Sequence, residues 1–196
     1  FKGRPYCIVP QRGAGKAAVE NIVNLASAIG SRPLFVDAGE HDSFIAAVSH
    51  LPFVLSAALI GCTSKSPQWG DINQFASTGY RDVSRLASGD PVMHRDVCVT
   101  NRDGIIYWID ELIVELERIK SVMRQDDNSK DLLAVFDDAF AARELWLAGG
   151  ATPWAQEQSK RSKMPSFANN AASLLIGGRL TERLFGDGND DKNTKR

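Results

Sequence analysis

Apolar residues follow two different spacings along this chain. Near its start, the short apolar runs Tyr6–Val9 and Pro33–Asp37 are typical of β-strands. Between them, from about Ala14 to Ile29, apolar positions recur every three or four residues, and Gly30 ends the pattern. Residues 1–37 are therefore predicted to form a strand, a helix and a second strand.

After Asp37 the spacing is almost wholly helical. Asn101 suits the N-cap of a long helix, because its short polar side chain can bind the free backbone N–H groups of the first turn. A polar turn at Gln125–Ser129 separates this helix from a second one. The apolar residues of the first helix alternate in steps of four and three, as in a coiled-coil seam: Ile105, Ile109, Leu112, Leu116, Ile119 and Met123.

The second long helix is expected to have an apolar side of its own. This side is formed by Leu132, Phe136, Ala139, Phe140 and Trp146. Two interpretations stay open. The two helices pack on each other as a hairpin within one subunit, or their apolar sides form a seam with a partner subunit.

The sequence changes character beyond Leu147. Residues 148–154 are rich in Gly and Ala, and we expect a linker there. Basic residues at 160–163 precede a helix-like pattern that begins at Ser166 and is interrupted by a pair of glycines. Packing of this helix on the rest of the protein is favoured over binding to a membrane surface. The polar end from Asp187 is expected to be disordered.

Composition excludes several kinds of partner and site. Hydrophobic residues make up 43% of the chain, enough for a sizeable core, and no uninterrupted run approaches the roughly 18 apolar residues of a membrane span. A net charge of −1 gives no basis for nucleic-acid binding. The three cysteines form no CxxC or Cys/His spacing suited to a metal, so we expect reduced, mostly buried thiols in a cytoplasmic protein.

Two arginines, Arg81 and Arg85, lie inside otherwise apolar helical sequence. On one helix they would project from the same face, where like charges repel by about a few tenths of a kcal/mol. Something negative should then lie against the pair. The spacing alone favours a solvated face on which Asp82 pairs with Arg85, and the alternative is a two-arginine receptor for a carboxylate or phosphate.

His50 precedes Pro52 by two residues in a run, Phe44–Ile60, that is otherwise helical in pattern. Pro52 cannot donate a hydrogen bond to the carbonyl of Val48, and its ring opens that turn. A bend beside an imidazole suits the binding of a polar ligand, although a satisfied histidine at a capped helix end explains the same pattern. His41 lies half a turn out of phase, so the two histidines are not expected to share a site.

These residues also carry a resemblance. The sequence EHD…SHLP followed by GxRDxxRxAxxxPxM…N is similar to the C-terminal domain of the prephenate dehydrogenases, the tyrosine-pathway enzymes that include arogenate-specific relatives. The similarity runs in order from about Phe1 to Trp146. It implies a helical, intertwined dimer and the oxidative decarboxylation of prephenate or arogenate with NAD or NADP.

The resemblance implies roles for five residues. His50 matches the family's histidine that lines the prephenate pocket, and Arg85 matches the arginine that pairs with a substrate carboxylate. Arg81 stands where the family has a basic residue at the pocket, and Gly79 where it has a small residue in a tight turn. His94 stands where many members have Trp, which bears on the shape of that wall and on the choice between prephenate and arogenate.

In this family the catalytic histidine and the dinucleotide fingerprint belong to a preceding nucleotide-binding domain. Residues 1–37 are similar to its last strand–helix–strand. We therefore expect a fragment with no catalytic residue and no tightly bound cofactor, NAD or NADP being bound by the complete enzyme. The motif GxGxxA at Gly13–Ala18, with Asp37 after the next strand, imitates the fingerprint. Pro10–Arg12 separate the motif from the strand, so an exposed helix entry is the favoured interpretation.

The sequence thus predicts a mainly α fold in three parts. These are a short α/β remnant of a Rossmann-type domain (1–37), an all-helical substrate-binding and dimerisation domain (38–147), and a linker, helix and tail (148–196). The expected partners are a second copy of the chain and prephenate or arogenate, tyrosine is a further candidate ligand, and no nucleic acid, membrane or metal is expected. The alternative is a non-catalytic helical dimer that senses an aromatic amino acid.

Overall fold

A computed structural model describes residues 1–149 of the chain. These residues belong to two compact units, and the division between them falls after Glu40. The boundary that the sequence predicts after Asp37 coincides with the start of a helix, Ala38–Ile45. The basic patch, helix and tail expected in the last part of the chain lie outside the described residues, as does most of the linker.

The first unit has a β-α-β arrangement. Strand β1 (Pro5–Ile8) pairs in parallel with β2 (Arg32–Phe35), and helix α1 (Lys16–Ala28) connects them. The three predicted elements are confirmed, each within about two residues at its ends. Apolar side chains from both strands and one side of the helix form the core: Ile8, Val19, Val23 and Phe35.

Gly30 ends α1 as predicted. Its backbone adopts φ +77°, in the left-handed region that glycine enters without a steric penalty. The N–H of Gly30 donates to the carbonyl of Ser27, and the N–H of Ile29 donates to that of Leu25. The last carbonyls of the helix are therefore paired, and the chain turns directly into β2.

Among the residues described, the second unit contains helices and turns but no strand. Helix α2 (Ala38–Ile45) runs directly into a π-helical turn (Ala46–His50) and then into α3 (Leu51–Thr63). Two long helices close the unit, α7 (Arg102–Met123) and α8 (Ser129–Leu147). The shorter elements between are α4 (Trp69–Ile72), a 3-10 turn (Asn73–Phe75), α5 (Thr78–Ser84), a second 3-10 turn (Arg85–Ser88) and α6 (Pro91–Thr100).

Aspartates begin two of these helices. Oδ1 of Asp37 accepts a hydrogen bond from the N–H of Glu40 at 2.8 Å, at the start of α2. Oδ1 of Asp90 accepts from the N–H groups of Val92 and Met93 at 2.7 and 3.3 Å, at the start of α6. Each carboxylate satisfies backbone donors that the first helical turn leaves free.

The long helices bury less of their predicted seams than the spacing suggests. In α7, Ile105 is 4% exposed, whereas Leu116 and Met123 are 52% and 60% exposed. In α8 the buried residue is Val135, which the predicted apolar side did not include. In the single chain more than half of each large aromatic residue on the predicted side is exposed: Phe136, Phe140 and Trp146. Whether this side packs against a partner stays a prediction.

One helical run is long and apolar enough to cross a membrane by length and composition alone. It spans Ala38–Thr63, and the mean hydropathy of its most apolar 18 residues is 1.9. The same run holds Ser56, whose side chain is fully buried and bonded to two other elements of the unit. A helix that packs within a helical unit passes the same test, so this composition is a weak indication of a membrane span.

The cysteines are more accessible than expected. Cys7 and Cys62 are exposed and Cys98 is half-buried, and all three are free thiols. Cys7 lies on the outer side of β1, next to the buried Ile8, because successive strand residues point to opposite faces. The expectation of mostly buried thiols was wrong.

Candidate functional site

Helix α3 organises the candidate site. His50, just before it, and its residues Phe53 and Ser56 are spaced three apart and therefore lie along one side of the helix. Each of the three contacts a different neighbour: the start of α7, then α6, then the junction of α5 with its 3-10 turn. One helix face thus brings together segments that are up to 51 residues apart.

His50 is the last residue of the π-helical turn. The N–H of Leu51 donates to the carbonyl of Ala46, five residues back, instead of four as in an α-helix. Pro52 follows in the first turn of α3, where a missing N–H costs little. The predicted disturbance of the helix before Pro52 is confirmed, and it takes the form of a wide turn of the kind often found at functional sites.

A chain of hydrogen bonds holds His50 in place. The side-chain amide nitrogen of Asn101, Nδ2, lies 2.7 Å from the backbone carbonyl oxygen of Asp42 and 3.2 Å from Nδ1 of His50. Asn101 thereby ties the start of α7 to α2 and to the π turn. It occupies the N-cap position of α7 as predicted, but its side chain does not cap that helix.

Gly104 allows α7 to approach this closely. A Cβ at position 104 would lie 2.8 Å from Oδ1 of Asn101 and 3.2 Å from Cβ of the fully buried Ala46. Even alanine would therefore require the Asn101 side chain to shift. Asn101 and Gly104 also border an open groove of about 300 Å³ lined by residues 99–104.

Burial lowers the pKa of His50 below its ordinary value of 6.5, because the imidazolium form loses hydration. The negative charge of Asp42 acts in the opposite direction, and His41 adds to the lowering. Nδ1 of His41 lies 3.0 Å from Oδ1 of Asp42, so the two histidines are linked through Asp42, contrary to expectation. The π turn explains the difference, since one extra residue shifts every later position by about 100°.

His94 packs on Phe53. The two ring centroids are 4.2 Å apart with an interplanar angle of 3°, and the ring of His50 follows at 6.0 Å from Phe53. A Cβ at Gly89 would lie 2.6 Å from two atoms of the His94 ring, so the backbone there also lies close against it. These contacts account for a half-buried His94 without a ligand, and its role as a pocket wall stays a prediction.

Ser56 fixes the segment that carries the arginines. Its hydroxyl donates to the carbonyl of Val83 at 2.9 Å and accepts from the N–H of Ala87 at 3.0 Å. These two groups flank Arg85, the residue at which α5 gives way to a 3-10 turn. The backbone position of Arg85 is therefore set by a fully buried side chain of α3.

Arg81 and Arg85 are both exposed, and neither forms an ion pair with any of residues 1–149. Asp82 and Arg85 do not form the ion pair that the solvated-face interpretation requires. Exposed ion pairs contribute little to stability, so its absence is not costly. No hydrogen bond joins either arginine to His50 within the described part of the chain. Two guanidinium groups thus remain available to an anion.

Gly79 does not lie in a tight turn. It is the second residue of α5, and its φ is not positive. A Cβ there would meet no atom within 4 Å, so neither conformation nor space requires glycine. The tight-turn interpretation was wrong because the chain is already helical at this point, and a site role for Gly79 depends on the resemblance alone.

Residues 37–138 match the family model described as "Prephenate dehydrogenase, dimerization domain". The match covers more than half of the 196 residues. The chain belongs to this family. Every candidate site residue discussed above lies within the matched region, together with the helices from α2 to α7.

Two curated proteins that are similar to this chain agree with this assignment. Over 140 residues the chain is 31% identical to the prephenate dehydrogenase of Bacillus subtilis, a match that covers 71% of the chain and 38% of that protein. Over 145 residues it is 26% identical to the cyclohexadienyl dehydrogenase of Zymomonas mobilis, covering 73% of the chain and 49% of that protein. The chain therefore spans less than half the length of these relatives.

Solved structures show the same fold. The arogenate dehydrogenase of Synechocystis superposes with a TM-score of 0.67 at 20% identity, over 74% of this chain and 53% of that one. The prephenate dehydrogenase of Aquifex aeolicus, in complex with hydroxyphenyl propionate and NAD+, gives a TM-score of 0.67 at 20% identity, over 74% and 50%. The predicted fold class, a helical domain after a short α/β segment, is confirmed.

Proposed function

We propose that this chain forms the substrate-binding and dimerisation part of an NAD- or NADP-dependent dehydrogenase of tyrosine biosynthesis, acting on prephenate or arogenate in the cytoplasm. Membership of the dimerization-domain family carries the proposal. Sequence similarity to a prephenate dehydrogenase and a cyclohexadienyl dehydrogenase supports it.

The proposed reaction assigns this chain a positioning task. The ring carbon that bears the hydroxyl loses a hydride, which the nicotinamide cofactor accepts when bound, and the ring carboxylate leaves as CO2. The ring becomes aromatic, which provides the driving force. The residues around the substrate therefore need mainly to orient it and to match its charges.

Arg85, helped by Arg81, is proposed to bind a substrate carboxylate. A guanidinium offers a planar pair of N–H donors that fits the two oxygens of a carboxylate. Both arginines are exposed and unpaired within the described residues, and the backbone of Arg85 is fixed by Ser56. Gly79 and His94 are proposed as further residues of the same pocket.

His50 is proposed to donate a hydrogen bond to a polar group of the substrate. Its lowered pKa keeps the ring neutral at pH 7, so it can donate without carrying a positive charge of its own. Its position is held by Asn101 rather than by a flexible loop.

The nucleotide-like motif near the start does not fit a dinucleotide. Strand β1 ends at Ile8 and α1 begins at Lys16, whereas the fingerprint turns from strand into helix at the strand's end. Asp37, the candidate ribose-binding acid, is already engaged as the cap of α2. We therefore assign no nucleotide-binding residue to this chain.

A homodimer is part of the proposal. The Ala38–Thr63 run is apolar, yet only 17% of its most apolar window is buried in one chain. Apolar surface of this extent is stabilised when a partner removes it from water. The long helices expose large apolar residues in the same way: Ile113, Val114, Leu116, Phe136, Phe140 and Trp146.

Isothermal titration calorimetry tests the substrate assignment. Prephenate, arogenate, 4-hydroxyphenylpyruvate and tyrosine are titrated into the 196-residue chain, into Arg85→Ala and into Arg124→Ala, an exposed arginine at the end of α7. We expect Arg85→Ala to weaken prephenate or arogenate binding about tenfold or more, because a charge-assisted pair is lost. The Arg124→Ala control should bind as the unaltered chain does.

Two results would contradict the proposal. Equal affinities for the unaltered chain and Arg85→Ala would remove Arg85 from the site. Binding of tyrosine without any binding of prephenate or arogenate would favour the alternative, a non-catalytic sensor of an aromatic amino acid.

A further inference from the structure

We propose that Asn101 is a positioning residue for His50 and holds the neutral ring in the tautomer with its proton on Nε2. Its importance for substrate depends on the proposed function, whereas the tautomer itself is a property of the folded chain. Three observations carry the inference: the partners of the Asn101 amide, the close approach of Gly104, and the contrast with His41.

The orientation of the Asn101 amide follows from its first partner. The backbone carbonyl oxygen of Asp42 can only accept a hydrogen bond, so the group that faces it at 2.7 Å must be the NH2 of Asn101. The amide oxygen then lies on the other side, where a Cβ at Gly104 would be only 2.8 Å away. Exchanging the amide oxygen and nitrogen would place two acceptors against each other.

The second hydrogen of the same NH2 group determines the state of His50. Nδ1 of His50 lies 3.2 Å from Nδ2 of Asn101. A nitrogen that faces a donor must accept, so Nδ1 carries no proton, and the proton of the neutral ring is on Nε2. The only hydrogen-bond donor that His50 can offer a ligand is therefore Nε2–H.

His41 provides a contrast within the same chain. Its Nδ1 lies 3.0 Å from Oδ1 of Asp42, an acceptor, so this nitrogen must carry a proton to form the bond. The carboxylate of Asp42 thus favours the Nδ1–H tautomer of His41. Its backbone carbonyl, acting through Asn101, favours the opposite tautomer, Nε2–H, in His50.

Protonation of His50 would disturb this arrangement. A proton on Nδ1 would point at the hydrogens of the Asn101 NH2 group, so the contact opposes the charged form. Burial and His41 oppose it as well, and Asp42 alone of the charged neighbours favours it. Asn101 consequently keeps His50 neutral as well as oriented.

The tautomer can be measured on the full chain by NMR. The chain has three histidines, and 15N-labelled histidine with long-range proton–nitrogen correlation distinguishes protonated from unprotonated ring nitrogens. His41→Gln and His94→Gln identify the signals by elimination. We expect His50 to show Nε2 protonated and Nδ1 unprotonated above its titration midpoint.

Asn101→Asp reverses the hydrogen-bonding character with little change in shape. The carboxylate accepts where the amide donated, so we expect His50 to move its proton to Nδ1 and its titration midpoint to rise by about one pH unit or more. Asn128→Asp is the matched control, since Nδ2 of Asn128 also donates to two acceptors, the backbone carbonyls of Met123 and Gln125 near the end of α7. It should leave the His50 signals unchanged.

Gly104→Ala is a second route to the same test if Asn101→Asp does not fold. The added methyl group displaces the Asn101 amide oxygen, and the Nε2–H preference of His50 should weaken with it. A protonated Nδ1 in the unaltered chain would overturn the proposal. So would an Asn101→Asp chain whose His50 keeps its tautomer and its midpoint.

The outcome is separable from that of the calorimetry. If the tautomer is as expected and no aromatic acid binds, Asn101 still positions His50 and the proposed function fails. If substrate binds and His50 has its proton on Nδ1, the proposed function stands and the role of Asn101 fails.

Discussion

At the scale of single residues, the site depends on side chains that satisfy more than one partner. The hydroxyl of Ser56 donates once and accepts once, and the NH2 group of Asn101 donates twice. Such groups are costly to replace, because one substitution removes two hydrogen bonds at once. His50 inherits its orientation from this arrangement.

The lowered pKa of His50 predicts how stability depends on pH. The folded chain binds this proton less well than the unfolded chain, so the contribution of His50 is complete above pH 6.5 and is lost as the pH falls toward the folded-state pKa. We expect the free energy of unfolding, measured in urea, to fall as the pH drops below about 6.5 and to fall less steeply in His50→Gln. Identical slopes for the two chains in this window would contradict the assignment.

The residues of the site were predictable to different degrees. Arg81, Arg85 and His50 stand in short motifs, so their presence was visible in sequence. Asn101 was recognised only as a helix start, because its two partners lie 51 and 59 residues away and no local spacing reports such contacts. The tight turn at Gly79 was implied by the resemblance alone, and the structure places this residue in the first turn of α5.

At the scale of elements, α3 is the part on which the others depend. Its side with His50, Phe53 and Ser56 meets α7, α6 and the end of α5 in turn. The polar contact at Ser56 is fully buried and connects residues 27 and 31 positions away. It therefore determines how the arginine-bearing segment is placed on the helix.

Removing this contact should destabilise the unit. Ser56→Ala removes the side-chain partner of the Val83 carbonyl and of the Ala87 N–H, and we expect a loss of about 1–3 kcal/mol in the free energy of unfolding, measured by urea denaturation. The matched control is Ser64→Ala, an exposed serine that bonds only to its own helix, which should cost less than about 0.5 kcal/mol. Equal losses in the two variants would show that the contact has no special weight.

Spacing predicted which elements form better than which faces they bury. Helices α1, α7 and α8 follow from periodicity and from the glycine or polar residues at their ends. The buried side of α8 could not be predicted in this way, because α8 carries apolar residues around much of its circumference. Whether Val135 or Phe136 is buried depends on the element that packs against the helix. The π turn was foreseen only as a disturbance before Pro52, since its width is set by tertiary contacts.

At the scale of the whole molecule, the described surface exposes many large apolar side chains. The α2–α3 run exposes Phe44 and Val48 at 58% and 74%, and α8 exposes Phe140 at 67%. Membership of a dimerization-domain family gives these faces an explanation that periodicity could not provide. Sequence alone left hairpin packing and a shared seam equally open.

Sedimentation velocity at micromolar concentration tests the dimer. We expect the unaltered chain to sediment as a dimer and Phe140→Glu to raise the dissociation constant about tenfold or more, because a charge replaces an apolar contact. Phe1→Glu is the control, an aromatic residue that is 83% exposed and lies in the first unit. A monomeric unaltered chain would exclude the shared seam, and a dimer unaffected by Phe140→Glu would place the interface elsewhere.

The π turn has a consequence for how this domain can change in evolution. Loss or gain of a single codon between Ala46 and His50 would convert it to another winding and rotate all of α3 by about 100°. Phe53 and Ser56 would leave His94 and the α5 junction in one step. An insertion or deletion that a surface loop would tolerate is therefore not expected between Ala46 and Ser56. Relatives with the same contacts between these helices should have the same number of residues in this segment.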